Sequence, residues 1–399
     1  MNPGEPKSLG LDPERLPRID AHLAGYTARG QLSGTLLLIA RRGAIGHVSV
    51  QGPADRERGK PLKRDALFRI YSMTKPIVSV ALMMLFERGL FQLDDPVERF
   101  IPSFARLRVA IDDTRSEPVR RPVTIRHVLT HTSGLTYGFQ RRTPIDAAYR
   151  AMNIDEPRVT LAEWVDQLAT LPLEFQPGDA WNYSVSNDVV GRLVEVISGK
   201  TLDAFFRDHI FAPLGMIDTD FFVPEAKLDR FTACYQRKPD GLALVDDPTT
   251  SPFRGRPRFL SGGGGLISTV DDYLAFADML LNGGVGRGVR LLSPKTVALM
   301  GTNHLPGGVD LPAVSRSLFG EAAYAGFGYG LGMSVMVDPA KSGLPGNAGD
   351  MAWGGVANTY FWVDPAASLI AILMTQALPS TGMTIRRELR TLVYSALTD

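Results

Sequence analysis

Cysteine is almost missing: Cys234 stands alone in 399 residues, so neither an intrachain disulfide nor a thiolate metal cluster can form. An excess of charge is missing too. With 43 basic and 42 acidic side chains the formal charge is +1, and without a basic block there is no electrostatic footprint for a nucleic acid. Apolar runs are broken well before the ~20 residues that a bilayer-spanning helix needs. The opening "MNPGEPKSLGLDPERLPRIDAHLAGY" has no apolar core followed by a small-residue cleavage site, so no secretory leader is read there. These gaps point to a soluble protein of a reducing, cytoplasmic compartment. A Gly-x-Ser-x-Gly elbow is also lacking, which argues against the alpha/beta-hydrolase route to serine chemistry.

What is present is an ordinary globular composition, 44% hydrophobic and 21% charged, long enough for one large domain or two intimate subdomains. From Asp12 the pattern "DPERLPRIDAHLAGYTA" reads as a helix capped by Asp12, with Pro13 in its first turn and Leu16, Ile19 and Leu23 on one face. "GTLLLIARRGAIGHVSVQG" reads as a hairpin about an Arg-Arg-Gly turn. Between about 91 and 250 the texture is helical: "TIRHVLTHTSG", "TLAEWVDQLATLPL", "SVSNDVVGRLVEVISG" and "TLDAFFRDHIFAPLG" each open with a Thr or Ser placed to cap. "GYGLGMSVMV", "NTYFWVDP" and "ASLIAILMTQ" restore strand character, the last two as antiparallel neighbours, and "TIRRELRTLVYSAL" closes the chain as a helix. The expected fold is therefore α+β. One antiparallel sheet is assembled from both ends (1–90 and 251–399), flanked by the terminal helices, with a mostly helical subdomain (91–250) and a cleft at the interface.

The chemistry concentrates in three places. In "LFRIYSMTKPIVSVALMMLFERG" Ser72 and Lys75 lie three apart at the start of an apolar helix, hence on one helical face. A serine hydroxyl needs a base to become a nucleophile. Lysine serves only where burial or nearby positive charge destabilises its ammonium, whose reference pKa is ~10.4. A capped, solvated first turn is the plain alternative for such a pair. Tyr183, in "PGDAWNYSVSNDVVG", is a phenol that can pass a proton beside such a lysine, or simply a core aromatic with its hydroxyl at the surface. Ser184, Ser186 and Asn187 read as residues that pin the loop. In "GDMAWGGVANTYFWVDP", Gly354 and Gly355 leave backbone open to a bound carbonyl. The amides of Ser72 and Val356 are then a candidate oxyanion hole, with Trp353 walling the acyl pocket; a bulge with a packed indole is the alternative.

Taken together, "SMTK" from Ser72, "YSV" from Tyr183 and "WGG" from Trp353 resemble the serine beta-lactamase-like superfamily, in its class C beta-lactamase and family VIII carboxylesterase branch. "LTHTSGL" and "FQPGDAWNYS" extend the resemblance along almost the whole chain. It implies a class C beta-lactamase-like fold, acylation of Ser72, and the oxyanion position at Val356. Two positions depart from the lactamase pattern: Val185 replaces the Asn of Tyr-x-Asn, and Trp353 replaces the Lys of Lys-Thr-Gly. Both polar contacts to a beta-lactam are thereby lost. The resemblance therefore favours a serine carboxylesterase acting on short- to medium-chain esters, with no cofactor or metal. The alternatives are a class C-like beta-lactamase, a D-amino-acid peptidase, an acyltransferase to an acceptor other than water, or a non-catalytic penicillin-binding module.

Other signals carry less. "SGKT" at 198–201 has Val194 where a phosphate loop needs its first glycine, and "GFGYGLG" misses the dinucleotide spacing. His127 and His131 have no acid between them as a zinc helix would. The four glycines at 262–265 read as a flexible turn, and Arg254, Arg256 and Arg258 as a solvated loop.

Overall fold

The computed structural model describes residues 1–112, 114–154, 158–316 and 324–399. The main elements are, in chain order, α1 (Leu16–Ala28), β1 (Thr35–Arg41), β2 (Ala44–Gln51), α2 (Thr74–Glu87), α3 (Ser186–Ser198), α4 (Val270–Leu281), β3 (Phe327–Tyr329), β4 (Ser334–Met336), β5 (Met351–Gly354), β6 (Tyr360–Asp364), β7 (Leu369–Met374) and α5 (Ile385–Ser395). The seven strands form one sheet in the order β3-β4-β5-β6-β7-β1-β2, every neighbouring pair antiparallel. The expected α+β architecture, a sheet drawn from both ends of the chain and flanked by the terminal helices, is the one observed.

Both faces of the central strands are buried, which is why β1 and β7 read as continuous apolar runs. Strand period splits them between two cores. Leu36, Leu38, Ile370 and Ile372 join the core that contains α2 and α4. Leu37, Ile39, Ala371 and Leu373 join the core under α1 and α5, with Trp362, Ile19, Leu23, Ile385 and Leu389. The β1–β2 turn is tight because Arg42 and Gly43 both take positive φ (52° and 80°), the geometry whose twist matches a two-residue hairpin.

Local readings differ from the structure at four places, each for a physical reason. Helix α1 begins at Leu16 with Pro17 in its first turn; Asp12 instead closes a preceding turn, accepting the Glu14 N–H at 2.9 Å. At α3 the N-cap is Val185, which makes no side-chain cap bond, because the neighbouring serine hydroxyls are engaged by other buried groups. Thr201 does not cap either; its hydroxyl donates to Asp203 at 2.6 Å. The glycines at 262–265 serve close packing. A Cβ at Gly262 would collide with the Asn187 carbonyl oxygen, and one at Gly263 would lie 2.6 Å from Asp188 Oδ2.

The glycines of the phosphate-loop and dinucleotide look-alikes are explained the same way. Gly199 terminates α3 in the left-handed region, and a Cβ at Gly332 would overlap Ser79 Oγ on α2. Residues 234–246 form a hairpin (Cys234–Lys238 and Gly241–Asp246) that pairs in parallel with Ala377–Leu378. No helix among the described residues is long and apolar enough to cross a membrane.

The helix Ile125–Leu129 carries a capping box in which histidine takes the usual Glu or Gln place: Thr124 Oγ1 accepts the His127 N–H, and His127 Nδ1 accepts the Thr124 N–H at 3.2 Å. An accepting Nδ1 cannot carry a proton. Burial first, then the charges of Arg121 and Arg126, push this imidazole down to about 4. Between its ordinary 6.5 and about 4 the unfolded chain binds the proton and the folded one resists it, so this contribution is intact above 6.5 and is lost as pH falls through that window. We expect His127→Gln, which keeps the box, to flatten the decline. Urea unfolding midpoints at a series of pH values will show it, and identical slopes for both proteins would remove His127 from the account.

Candidate active site

The nucleophile candidate sits on a bend. Residues Tyr71–Met73 make a single tight turn ahead of α2, and Tyr71 adopts φ 42°, a conformation uncommon for a side chain of its size. Ser72 follows it directly. One turn on, Lys75 is completely buried, with α2 packed against α3 beside it. Its Nζ donates to Ser72 Oγ at 3.1 Å, to the Tyr137 hydroxyl at 3.1 Å and to the Gly263 carbonyl at 2.6 Å. The Tyr183 hydroxyl donates to Ser72 Oγ at 2.6 Å, and Nζ also lies 4.6 Å from the Tyr183 ring centre. The hydroxyl, amine and phenol singled out in the sequence therefore meet at one oxygen.

Buried polar groups around this trio fix its geometry. Asp188 Oδ1 accepts from Ser261 Oγ at 2.6 Å and from the Gly263 N–H at 3.0 Å, holding the residue whose carbonyl receives Lys75 by its preceding peptide. Burial raises the Asp188 carboxyl above its usual range, opposed by the Ser261 bond and by the charge of Lys75. His131 is buried with its ring 5.0 Å from that of Tyr183. Burial, and then the Lys75 charge, hold its imidazole well below the usual range, so it stays neutral. Its Nδ1 pairs with Ser184 Oγ at 3.0 Å; Ser184 and Ser133 each meet Ser186 at 2.8 Å. These serines pin the Tyr183 loop, and Asn187 Nδ2 reaches Ser79 Oγ at 3.4 Å.

Beside Tyr183, Trp353 on β5 is buried with ring centres 5.6 Å from Tyr183 and 5.2 Å from Tyr329. The Gly-Gly pair beside it is crowded, by a side chain at Gly354 and by backbone at Gly355. A Cβ at Gly354 would lie 2.7 to 2.8 Å from the Arg386 guanidinium, and one at Gly355 would overlap Thr359 Oγ1 and lie 2.5 Å from the Ile70 carbonyl oxygen. This turn is thus pressed against the backbone that leads into Ser72. Val356 is 41% exposed, and neither its N–H nor that of Ser72 is taken by another group among the described residues. Val185 is buried, its N–H on the Thr136 carbonyl at 3.2 Å. Arg254, Arg256 and Arg258 lie away from this constellation, paired at the surface with Glu225, Asp203 and Glu163.

Three contributors escaped the sequence reading: Tyr137, the Gly263 carbonyl and Asp188. Tyr137 comes two residues after "LTHTSGL", but nothing in its surroundings distinguishes it from a packing aromatic. Asp188 had the one usable signal, an acid in the first turn of the helix that follows the Tyr183 loop. Among the described residues no group of three or more His, Cys, Asp or Glu is placed to hold a metal ion.

The sequence profile of the family described as Beta-lactamase matches residues 19–395. The chain belongs to this family. Among curated proteins, this family member is 39% identical over 363 residues to Protein Rv1367c of Mycobacterium tuberculosis, covering 89% of this chain and 88% of that one. It is 35% identical over 393 residues to Esterase EstB of Burkholderia gladioli, covering 93% of each. Among solved structures it superposes on EstCE1, described as a hydrolase with promiscuous acyltransferase activity, with a TM-score of 0.81 and 27% identity over 97% of this chain and 99% of that one.

The crowding at Gly355 gives a direct expectation for this family member. Gly355→Ala must displace Thr359 or the Ile70 backbone, an overpacking that costs about 1–3 kcal/mol. Chemical denaturation monitored by tryptophan fluorescence will measure it; an unchanged midpoint would mean that the turn has room the geometry denies.

Proposed function

We propose that the protein is a serine carboxylesterase that hydrolyses short- to medium-chain esters through an acyl-enzyme. The observation that carries this reading is the convergence of Lys75 Nζ and the Tyr183 hydroxyl on Ser72 Oγ, at 3.1 and 2.6 Å. The choice of ester over lactam rests on Val185 and Trp353, apolar where a beta-lactam would look for an amide and an ammonium. The names of Esterase EstB and of the hydrolase EstCE1 point the same way. In this reading the cleft lies between the helical part (91–250), which supplies Tyr137, Tyr183 and Asp188, and the α/β part (1–90 and 251–399), which supplies Ser72, Lys75, Gly263 and Trp353. A cytoplasmic location completes the reading.

The reactive form is the one in which Lys75 has given up a proton: Ser72 Oγ attacks the ester carbonyl while its own proton passes to the free amine of Lys75. The carbonyl oxygen, now an oxyanion, is held by the N–H groups of Ser72 and Val356. As the tetrahedral adduct collapses, Tyr183 protonates the departing alcohol and is re-protonated from Lys75, leaving Ser72 acylated. Water then attacks the acyl carbonyl, giving its proton to the Tyr183–Lys75 pair. The second collapse returns that proton to Ser72 and releases the acid, so ester and water yield acid and alcohol with the enzyme unchanged.

Intact-mass spectrometry with a fluorophosphonate should find one adduct on the native chain and none on Ser72→Ala; equal labelling of both would exclude Ser72. Tyr183→Phe is expected to lower kcat by about 10²–10⁴-fold. On a panel of short-chain nitrophenyl esters, a chromogenic cephalosporin and a D-Ala-D-Ala peptide, the esters should turn over fastest. Faster turnover of either of the others would reassign the enzyme, and an acyl adduct that persists without turnover would make it a sensor.

A further inference from the structure

The Gly355–Val356 peptide offers its two polar groups to two different partners. Its N–H, the proposed oxyanion donor, is taken by no group among the described residues, while its C=O is held firmly. Arg386, in the first turn of α5, donates Nη2 to the Gly355 oxygen at 2.6 Å and to the Thr359 oxygen at 3.1 Å, bridging the two ends of the turn 355–359. The Asn358 N–H reaches the same Gly355 oxygen at 3.1 Å. Because the C=O and N–H of a trans peptide point in opposite directions, whatever fixes the carbonyl on the α5 side fixes the N–H on the other.

We infer that Arg386 is a positioning residue for the oxyanion hole, aiming and polarising the Val356 N–H through the carbonyl it grips. This rests on the acyl-enzyme reading above. A charge-assisted bond to a carbonyl is about twice as strong as a neutral one, and a polarised peptide strengthens the bond that its N–H makes by roughly 10–30%. The surroundings of the guanidinium suit it to this role. Its Nε is buried without a hydrogen-bond partner among the described residues, and no carboxylate there pairs with it. Burial lowers its pKa from the ordinary value, partly offset by the phenols of Tyr324, Tyr360 and Tyr183. A half-buried cation with no anion beside it among the described residues gains most when negative charge develops nearby, as it does on the substrate oxygen during attack.

This also assigns separate roles to the two glycines of the Trp-Gly-Gly motif. Gly354 lets the guanidinium lie against the strand, where any Cβ would meet three of its atoms at 2.7 to 2.8 Å, and Gly355 lets the turn press on Ile70.

The test uses the full chain with Arg386→Ala, Arg386→Lys and Gly354→Ala. An oxyanion exists only in the transition state, so kcat for a neutral nitrophenyl ester should fall roughly 10- to 100-fold with KM within about twofold. Affinity for an alkyl boronic acid, which forms a tetrahedral anion on Ser72, should fall by the same factor as kcat. Added guanidinium should restore part of the Arg386→Ala rate, and Arg386→Lys should retain more activity than Arg386→Ala. An unchanged kcat in the variants overturns the proposal. So does a rise in KM confined to esters bearing a carboxylate, which would make Arg386 a substrate clamp. So does a loss of activity that follows a lowered unfolding midpoint and resists guanidinium, which would make it a tether of α5. Failure of the acyl-enzyme reading itself shows separately, as absent fluorophosphonate labelling of the unaltered chain.

Discussion

A lysine ammonium held out of water by three oxygens is the interaction around which these side chains are organised. Among the described residues Lys75 has no carboxylate in direct contact; its Nζ is shared among a serine hydroxyl, a phenol and a peptide carbonyl. Burying such a group is costly unless every donor finds an acceptor, so each of the three acceptors has to be supplied from a different part of the chain and held there. Much of the surrounding polar structure follows from that demand. Asp188 holds Gly263 through its N–H, next to the carbonyl that meets Lys75, and the linked hydroxyls of Ser133, Ser184 and Ser186 steady the Tyr183 loop.

The apolar scaffold meets the same demand from below. Helix α2 is buried along most of its length, which fixes the height of Lys75 above the sheet, and β5 packs against the turn that carries Ser72. The doubly covered strands β1 and β7 make that sheet a stiff reference plane, with a full core on each side. A site that depends on contacts of about 3 Å needs such a support, since interiors packed at crystal-like density do not deform by small continuous amounts.

Much of this was legible in the sequence, and the reasons for the exceptions are specific. The hairpin about Arg42 and Gly43, the β6–β7 pair and the terminal helices are encoded locally, in turn residues and periodicity. Ser72, Lys75 and Tyr183 were legible because two of them share one helical turn and the third lies in a recognisable polar loop. Tyr137 and Gly263 were not, because their part is defined only by tertiary proximity: a tyrosine in "LTYGF" and one glycine among four carry no local sign that both face the same ammonium. The glycines at 262–265 misled for a related reason, since composition reports conformational freedom and says nothing about the Asn187 carbonyl pressed against them. The helix caps failed at α3 and at Thr201 because nearby groups compete with the helix for those hydroxyls.

Gly263 also rivets separate parts of the chain together. Through its N–H it is fastened to Asp188 at the head of α3, and through its carbonyl to Lys75 at the head of α2. A Cβ at this position would lie 2.6 Å from Asp188 Oδ2, so a larger side chain would push the two helix ends apart and leave a buried donor unmatched.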